Sequence, residues 1–271
     1  MGSAAMSLPA ATPAVDLFHR DLGGAGAPAM VILHGMLGSS RNWQTVGRAL
    51  ASGRRVYALD LRNHGMSPHA EAMGYEAMAA DVAAWQDRAG TGPCVLVGHS
   101  MGGKVAMLLA CREPARVARL VVVDIAPKDY FWPAHRAEFA AMNELNLGDL
   151  RSRAEAEMRF EARVPNWAMR KFLATNLEAV PGGGWRWLIN LPALTAALPG
   201  LERTPLLPDD RYAGPALFVT GGKSAYVQSG DQAAITAHFP AARIEVLPGS
   251  GHNPHIDARE AFVSLLAGEG A

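Results

Sequence analysis

Apolar residues cluster in short continuous runs along the first half of the chain: AMVILHG (29–35), RRVYALDL (54–61), CVLVGH (94–99) and RLVVVDIA (119–126). Each carries a polar residue or a glycine at or near its end. A strand with one wet face alternates apolar and polar positions, so runs without alternation suit strands buried on both faces of a mostly parallel sheet. Between them, RNWQTVGRALA, YEAMAADVAAWQDR and MGGKVAMLLACREPARV repeat their apolar positions at helical spacing. Strand and helix therefore alternate, which predicts right-handed crossovers and helices on both faces of the sheet.

That rhythm stops after Pro127. From 128 to 207 the pattern is helical, rich in Trp and Met, and punctuated by VPGGGW and NLPALTAALPG. Strand-like runs return at ALFVTGG (216–222) and ARIEVLPGSGH (242–252), and AREAFVSLLAGEG reads as a closing helix. The expected organisation is an α/β core of residues 1–127 and 208–271 carrying an inserted helical cap, 128–207, that leaves and rejoins the sheet on one edge.

Composition narrows the partners. Lys plus Arg and Asp plus Glu number 25 each, with no block of like charge, which argues against nucleic acid and anionic lipid surfaces. Cys94 and Cys111 both sit in apolar stretches and read as buried thiols. The opening MGSAAMSLPAATPAV lacks the basic and apolar regions of a signal peptide, so a cytoplasmic location is expected. No apolar run approaches the roughly 20 residues of a membrane span. Nothing in the sequence calls for a metal or an organic cofactor, and it carries no signal of oligomeric state.

LVGHSMGGKVAM passes from strand to helix at a single serine. Gly98-His99-Ser100-Met101-Gly102 is a G-x-S-x-G pattern, in which small neighbours let a strained turn lift the serine Oγ above the sheet. The helix that follows directs its free N–H groups at the same place, where an oxyanion would need donors. Taken alone, the pentapeptide marks only a glycine-rich turn. The apolar strand before it and the Ala/Leu/Met helix after it favour a nucleophile.

A serine hydroxyl needs a base, most often a histidine held by a carboxylate. His252, in the loop PGSGHNPH after the last strand run, lies at the strand end that carries ligands in open α/β sheets. His255 is its rival, and a zinc reading of the pair lacks a third ligand. His99 is expected to face away, because neighbours on a strand alternate faces. Asp124, closing VVVDIAP, is the candidate acid; the alternative loop KSAYVQSGD has its first carboxylate only at Asp231. The backbone N–H groups of Met36, in LHGMLGSSRNW, and Met101 are the candidate oxyanion donors.

These segments together resemble the α/β-hydrolase superfamily. LHGMLGSSRNW, YALDLRNHGMSPH, GHSMGGK, VVVDIAPKDY and GGKSAYV, in this order, resemble more closely the YbfF-type bacterial esterases and their mammalian mitochondrial relatives. The resemblance implies cleavage of acyl esters by a Ser-Asp-His triad, carried onto Ser100, Asp124 and His252, and it accounts for Ser224 where most of the superfamily has aspartate. The chain departs from that pattern after the triad histidine, where Asn253-Pro254 stands in place of an aromatic residue.

The expectation is thus a carboxylesterase-type serine hydrolase acting on a small-molecule ester of short to medium acyl chain. An acyl-CoA thioesterase, or a ligand receptor on a hydrolase fold, are the alternatives. Tyr130, Phe131, Trp132, Met142, Met158, Phe160, Trp167, Met169, Trp185 and Trp187 are candidates for lining the acyl pocket, against the plainer reading that they glue the cap together. Arg62, Asn63 and His64 read as organisers of their loop, and Lys104 as a structural contact.

Overall fold

The computed structural model describes residues 13–268. The first twelve residues, which carry most of the signal-peptide reading, and 269–271 lie outside the described residues. Seven strands form one sheet: β1 (His19–Gly23), β2 (Met30–Leu33), β3 (Val56–Leu59), β4 (Cys94–His99), β5 (Val117–Val123), β8 (Ala216–Gly221) and β9 (Ala242–Leu247). Their spatial order is β1-β3-β2-β4-β5-β8-β9, and every neighbouring pair is parallel except β1 against β3. The antiparallel edge strand β1, HRDLG, has no buried residue, so no apolar run announced it.

The continuous apolar runs are explained by two cores, one on each face. Along β4, Cys94 and Leu96 enter one cluster while Val95 and Val97 enter the other, the period of two that a pleated strand imposes. On the first face lie α2 (Tyr75–Ala89) and α3 (Met101–Arg112); on the second lie α1 (Gln44–Leu50) and α10 (Arg259–Gly268). Eleven residues of α3 are buried, because the helix packs against β4 and β5 of the sheet and against α2. The two cysteines are free and buried, and burial pushes both thiols up to about 12.

Between β5 and β8 the chain forms α4 (Pro133–Glu144), α5 (Arg153–Arg159), α6 (Trp167–Ala174), a ribbon of β6 (Leu177–Ala179) and β7 (Trp185–Trp187), and α7 (Leu191–Leu201). The ribbon departs from the all-helical expectation. Its turn is the VPGGGW stretch, where Gly182, Gly183 and Gly184 all take positive φ. NLPALTAALPG, in contrast, is no break: Asn190 caps α7 by accepting from the Ala193 N–H, and Pro192 sits in the first turn, where its missing N–H costs nothing. The remaining helices are α8 (Gln232–His238) and the short α9 (Pro254–Asp257).

This segment is fastened to the sheet side by polar contacts. Asn190 donates its backbone N–H to Asn63 O (3.0 Å) and its amide to Asn63 Oδ1 (3.1 Å), and Asn176 Nδ2 reaches Leu37 O (3.0 Å). Arg62 forms a fully buried pair with Asp81, both guanidinium contacts within 2.7 Å, which holds the LRNHG loop against α2. His64 Nε2 accepts from the Leu37 N–H (3.3 Å), and burial drives its imidazole down to about 3. The three residues organise their loop, as the sequence led one to expect.

Candidate active site

Ser100 joins β4 to α3 at φ 51°, ψ −118°, a conformation that L residues rarely adopt. The glycines around it answer to close approach: a Cβ on Gly98 would lie 2.2 Å from Gly102 O, and one on Gly102 would lie 2.5 Å from His34 O. Any larger residue would push the turn open. The strain is held by the backbone, since the Ser100 N–H donates to Val123 O (3.0 Å) while Ser100 O accepts from Gly103 and Lys104.

Asp124 follows β5 directly, also at positive φ (52°), with no exposure to solvent. Its N–H donates to Val219 O (2.9 Å) and its Oδ1 accepts from the Gly221 N–H (2.9 Å). Oδ2 meets His252 Nδ1 at 2.7 Å, a contact spanning 128 residues of sequence, and also accepts from the Ser224 hydroxyl. A buried carboxylate is tolerable only when paired and hydrogen-bonded, and this one has three donors besides its own backbone tie.

His252 stands in the loop between β9 and α9. Tyr226 stacks on its ring with centroids 3.6 Å apart and planes 15° apart, and its carbonyl accepts from His99 Nε2 (2.8 Å). His99, expected to face away from the serine, instead lines the same cavity and props the histidine loop from below. Its imidazole lies well below the ordinary range, chiefly through burial and then through the neighbouring His252 and His255, so it serves as a neutral donor. His255 stacks on Trp43 (4.0 Å, 9°), its Nδ1 has no hydrogen-bond partner among the described residues, and burial drives it down to about 3. Of the two rival histidines, the geometry brings only His252 to Asp124.

The loop after β2 arrives beside the serine: a Cβ on Gly35 would lie 3.3 Å from Ser100 Cβ. Among the described residues, neither the Met36 nor the Met101 N–H has a protein acceptor. Ser100, Met36, His252 and the apolar Met169, Phe172 and Ile256 line one cavity of about 380 Å³. Of the ten candidates for the acyl pocket only Met169 lines it. Phe160 and Met142 are fully buried inside the segment, Tyr130 and Trp132 stack on one another (5.5 Å), and Phe131, Met158 and Trp167 face solvent at 70%, 66% and 60% exposure. Phe172, one turn beyond Trp167 on α6, was not among the candidates.

The profile of the α/β hydrolase fold family matches residues 28–259. The chain belongs to that family. It is 41% identical over 253 residues to the sn-1-specific diacylglycerol lipase ABHD11 of Mus musculus, covering 90% of this chain and 81% of the relative. It is 34% identical over 240 residues to the esterase YbfF of Escherichia coli K12, covering 88% and 91%. Among solved structures, a marine microorganism esterase superposes with a TM-score of 0.90 at 32% identity, over 93% of this chain and 98% of that one. With relatives of this kind the α/β hydrolase described here is a carboxylesterase-type enzyme. Among its described residues no helix is long and apolar enough to cross a membrane.

Two groups of this hydrolase's site carried no motif of their own. Ser224 donates to the acid, and Tyr226 stacks on the histidine, both from the loop after β8. Burial first, then the Glu138 and Asp124 carboxylates, push the Tyr226 phenol up to about 12, so the ring stays neutral against the imidazole. GGKSAYV supplied the string; only the fold shows that its hydroxyl and its ring point at Asp124 and His252.

Proposed function

We propose that this hydrolase cleaves carboxylic esters of short to medium acyl chain through an acyl-enzyme on Ser100. The observation that carries the reading is the His252 Nδ1 to Asp124 Oδ2 contact of 2.7 Å beside a serine held at positive φ. His252 Nε2 takes the proton as Ser100 Oγ bonds to the ester carbonyl carbon. Asp124 fixes the Nδ1–H tautomer and favours the imidazolium that forms. The N–H groups of Met36 and Met101 receive the oxyanion, an arrangement worth about 10²–10³ in rate per donor. The carbon–oxygen bond to the alcohol then breaks and the leaving oxygen takes the proton back from His252. Water, deprotonated by the same imidazole, releases the acid and restores Ser100.

Residues 128–207 act as a cap over this site, with Met169 and Phe172 offering the acyl chain an apolar wall. A cavity of about 380 Å³ lies toward the small end of ligand pockets, which favours short and medium chains over long ones. The test is intact-mass analysis after a fluorophosphonate probe, beside turnover of p-nitrophenyl esters of increasing length. Stoichiometric labelling that Ser100→Ala abolishes, with a loss of about 10⁶-fold in kcat, is the expected result. Well-folded wild type that takes no label and turns over no ester would overturn it.

A further inference from the structure

Among the described residues four that are not glycine take positive φ: Ser100 and Asp124, which the proposed mechanism uses, and Leu37 (58°) and Asn63 (64°), which it does not. Strained backbone gathers at functional sites, and these two stand on loops that meet. Leu37 belongs to the loop after β2, and Asn63 to the LRNHG loop after β3, directly before His64. A hydrogen bond joins the loops there, the Leu37 N–H donating to His64 Nε2 (3.3 Å). The ring cannot reverse that bond: its Nδ1 lies 2.9 Å from Arg62 O, and a carbonyl only accepts, so Nδ1 carries the proton. The side chain is fully buried, and burial first, then the neighbouring His34, keeps the imidazole neutral.

The turn held in this way carries one of the two proposed oxyanion donors. The Gly38 N–H closes it on Gly35 O (3.0 Å), with Met36 and Leu37 in the middle, and positive φ at the second of these marks a type II turn. Gly35 O also lies 2.8 Å from His34 Nδ1, whose ring accepts the Leu61 N–H at Nε2 (3.0 Å). In a planar trans peptide the C=O and N–H point in opposite directions, so with Gly35 O turned to these donors the Met36 N–H points away from them. A leucine pays sterically for the left-handed region that glycine enters freely, so position 37 needs a hold. His64 holds its N–H and Asn176 Nδ2 its carbonyl (3.0 Å), which fixes both flanking peptides. We infer that His64 is a positioning residue for the oxyanion site, holding the strained turn that keeps the Met36 N–H where the oxyanion forms. The assignment rests on the serine mechanism proposed above and gives LRNHG a part in it. Without the acceptor, Leu37 returns to negative φ by flipping the peptide it shares with Met36, and the donor moves with the turn.

Two amides separate the ring's two bonds. Glutamine places its amide where Nε2 stands and keeps an acceptor for the Leu37 N–H; asparagine places its amide where Nδ1 stands and keeps only the donor to Arg62 O. Since one oxyanion donor carries about 10²–10³ in rate, His64→Asn should lower kcat by about 10- to 100-fold with KM within about threefold, and His64→Gln should recover most of that loss. A trifluoromethyl ketone reports the oxyanion itself: Ser100 Oγ bonds to its carbonyl carbon, His252 takes the proton, and the ketone oxygen becomes the anion. Its inhibition constant should rise in His64→Asn by the factor by which kcat/KM falls. Fluorophosphonate labelling of wild type at Ser100 comes first, so that failure of the mechanism and failure of this assignment are separable. Absence of labelling overturns both. With labelling secured, an equal loss in the two variants, or a rise in KM with an unchanged inhibition constant, overturns the assignment alone. If His64→Asn does not fold, nitrogen NMR of wild type decides. A Leu37 N–H coupled to His64 Nε2, with a Met36 N–H that shifts downfield as the hemiketal forms, supports the assignment; a protonated His64 Nε2 or an unresponsive Met36 N–H overturns it.

Discussion

At the C-terminal edge of the sheet, each group that would do chemistry is held by several others. Asp124 has Gly221, Ser224 and His252; His252 has Asp124, Tyr226 and His99. Over that edge, residues 128–207 present a different economy. The large apolar side chains there mostly serve the segment itself or face solvent, and few of them reach the cavity. On the proposed mechanism the difference assigns each property a place: the reaction to the sheet edge, and the choice of substrate to the segment above it. Substitutions at the edge should therefore change kcat, and substitutions above it should change selectivity or stability.

The sharpest test of that division is Asp124→Asn, expected to lower kcat by about 10⁴-fold while the fold and KM hold. An asparagine keeps the shape but can no longer fix the Nδ1–H tautomer. Steady-state kinetics on a p-nitrophenyl ester, beside circular dichroism, would decide it. Turnover near that of wild type would mean that the acid lies elsewhere and that the contact with His252 is structural.

The two regions were also unequally legible in the sequence. Strands β2, β4 and β8 could be read because they are buried on both faces, and β5 because its last four residues are. Ser100, Asp124 and His252 could be singled out as candidates because each closes a strand run or stands in the loop after one. The edge strand β1 escaped because burial never marked it, and the ribbon β6–β7 because three residues per strand give no period. In the segment above, Trp and Met identity carried no direction: Trp167 and Phe172 lie on one short helix, yet one faces water and the other the cavity. Side-chain chemistry was visible there, but not which face of each helix would turn inward.

Lys104 joins the two regions and offers a second test. From α3 it reaches across to the end of α7, donating to Glu202 O (3.1 Å) and Arg203 O (2.7 Å) with no solvent exposure and with the rings of Tyr75, Tyr130 and Trp132 nearby. Burial pushes its ammonium down to about 7, while the Asp129 and Glu202 carboxylates pull the other way. An unfolded chain would hold that proton up to about 10.4, so between roughly pH 7 and 10 the unfolded state binds more protons and stability rises with pH. Lys104→Met removes this dependence. Wild-type stability minus that of the variant, from urea unfolding, should climb across that window at up to ~1.4 kcal/mol per pH unit. A flat difference would mean that the two carbonyls keep the ammonium charged throughout.

The smallest effects belong to α6 and test the division within a single helix. Phe172→Ala should reduce kcat/KM by about tenfold for the longer acyl chains and less for acetate, because it removes an apolar wall from the cavity. Trp167→Ser, five positions earlier and 60% exposed, should leave stability within about 0.5 kcal/mol and the chain-length profile unchanged. The pair separates location from residue type, since tryptophan is the larger apolar side chain and would dominate if size alone lined the pocket. A chain-length profile that shifts with Trp167 and ignores Phe172 would mean that the acyl arm leaves the cavity over the outer face of α6, and the selective wall would have to be redrawn there.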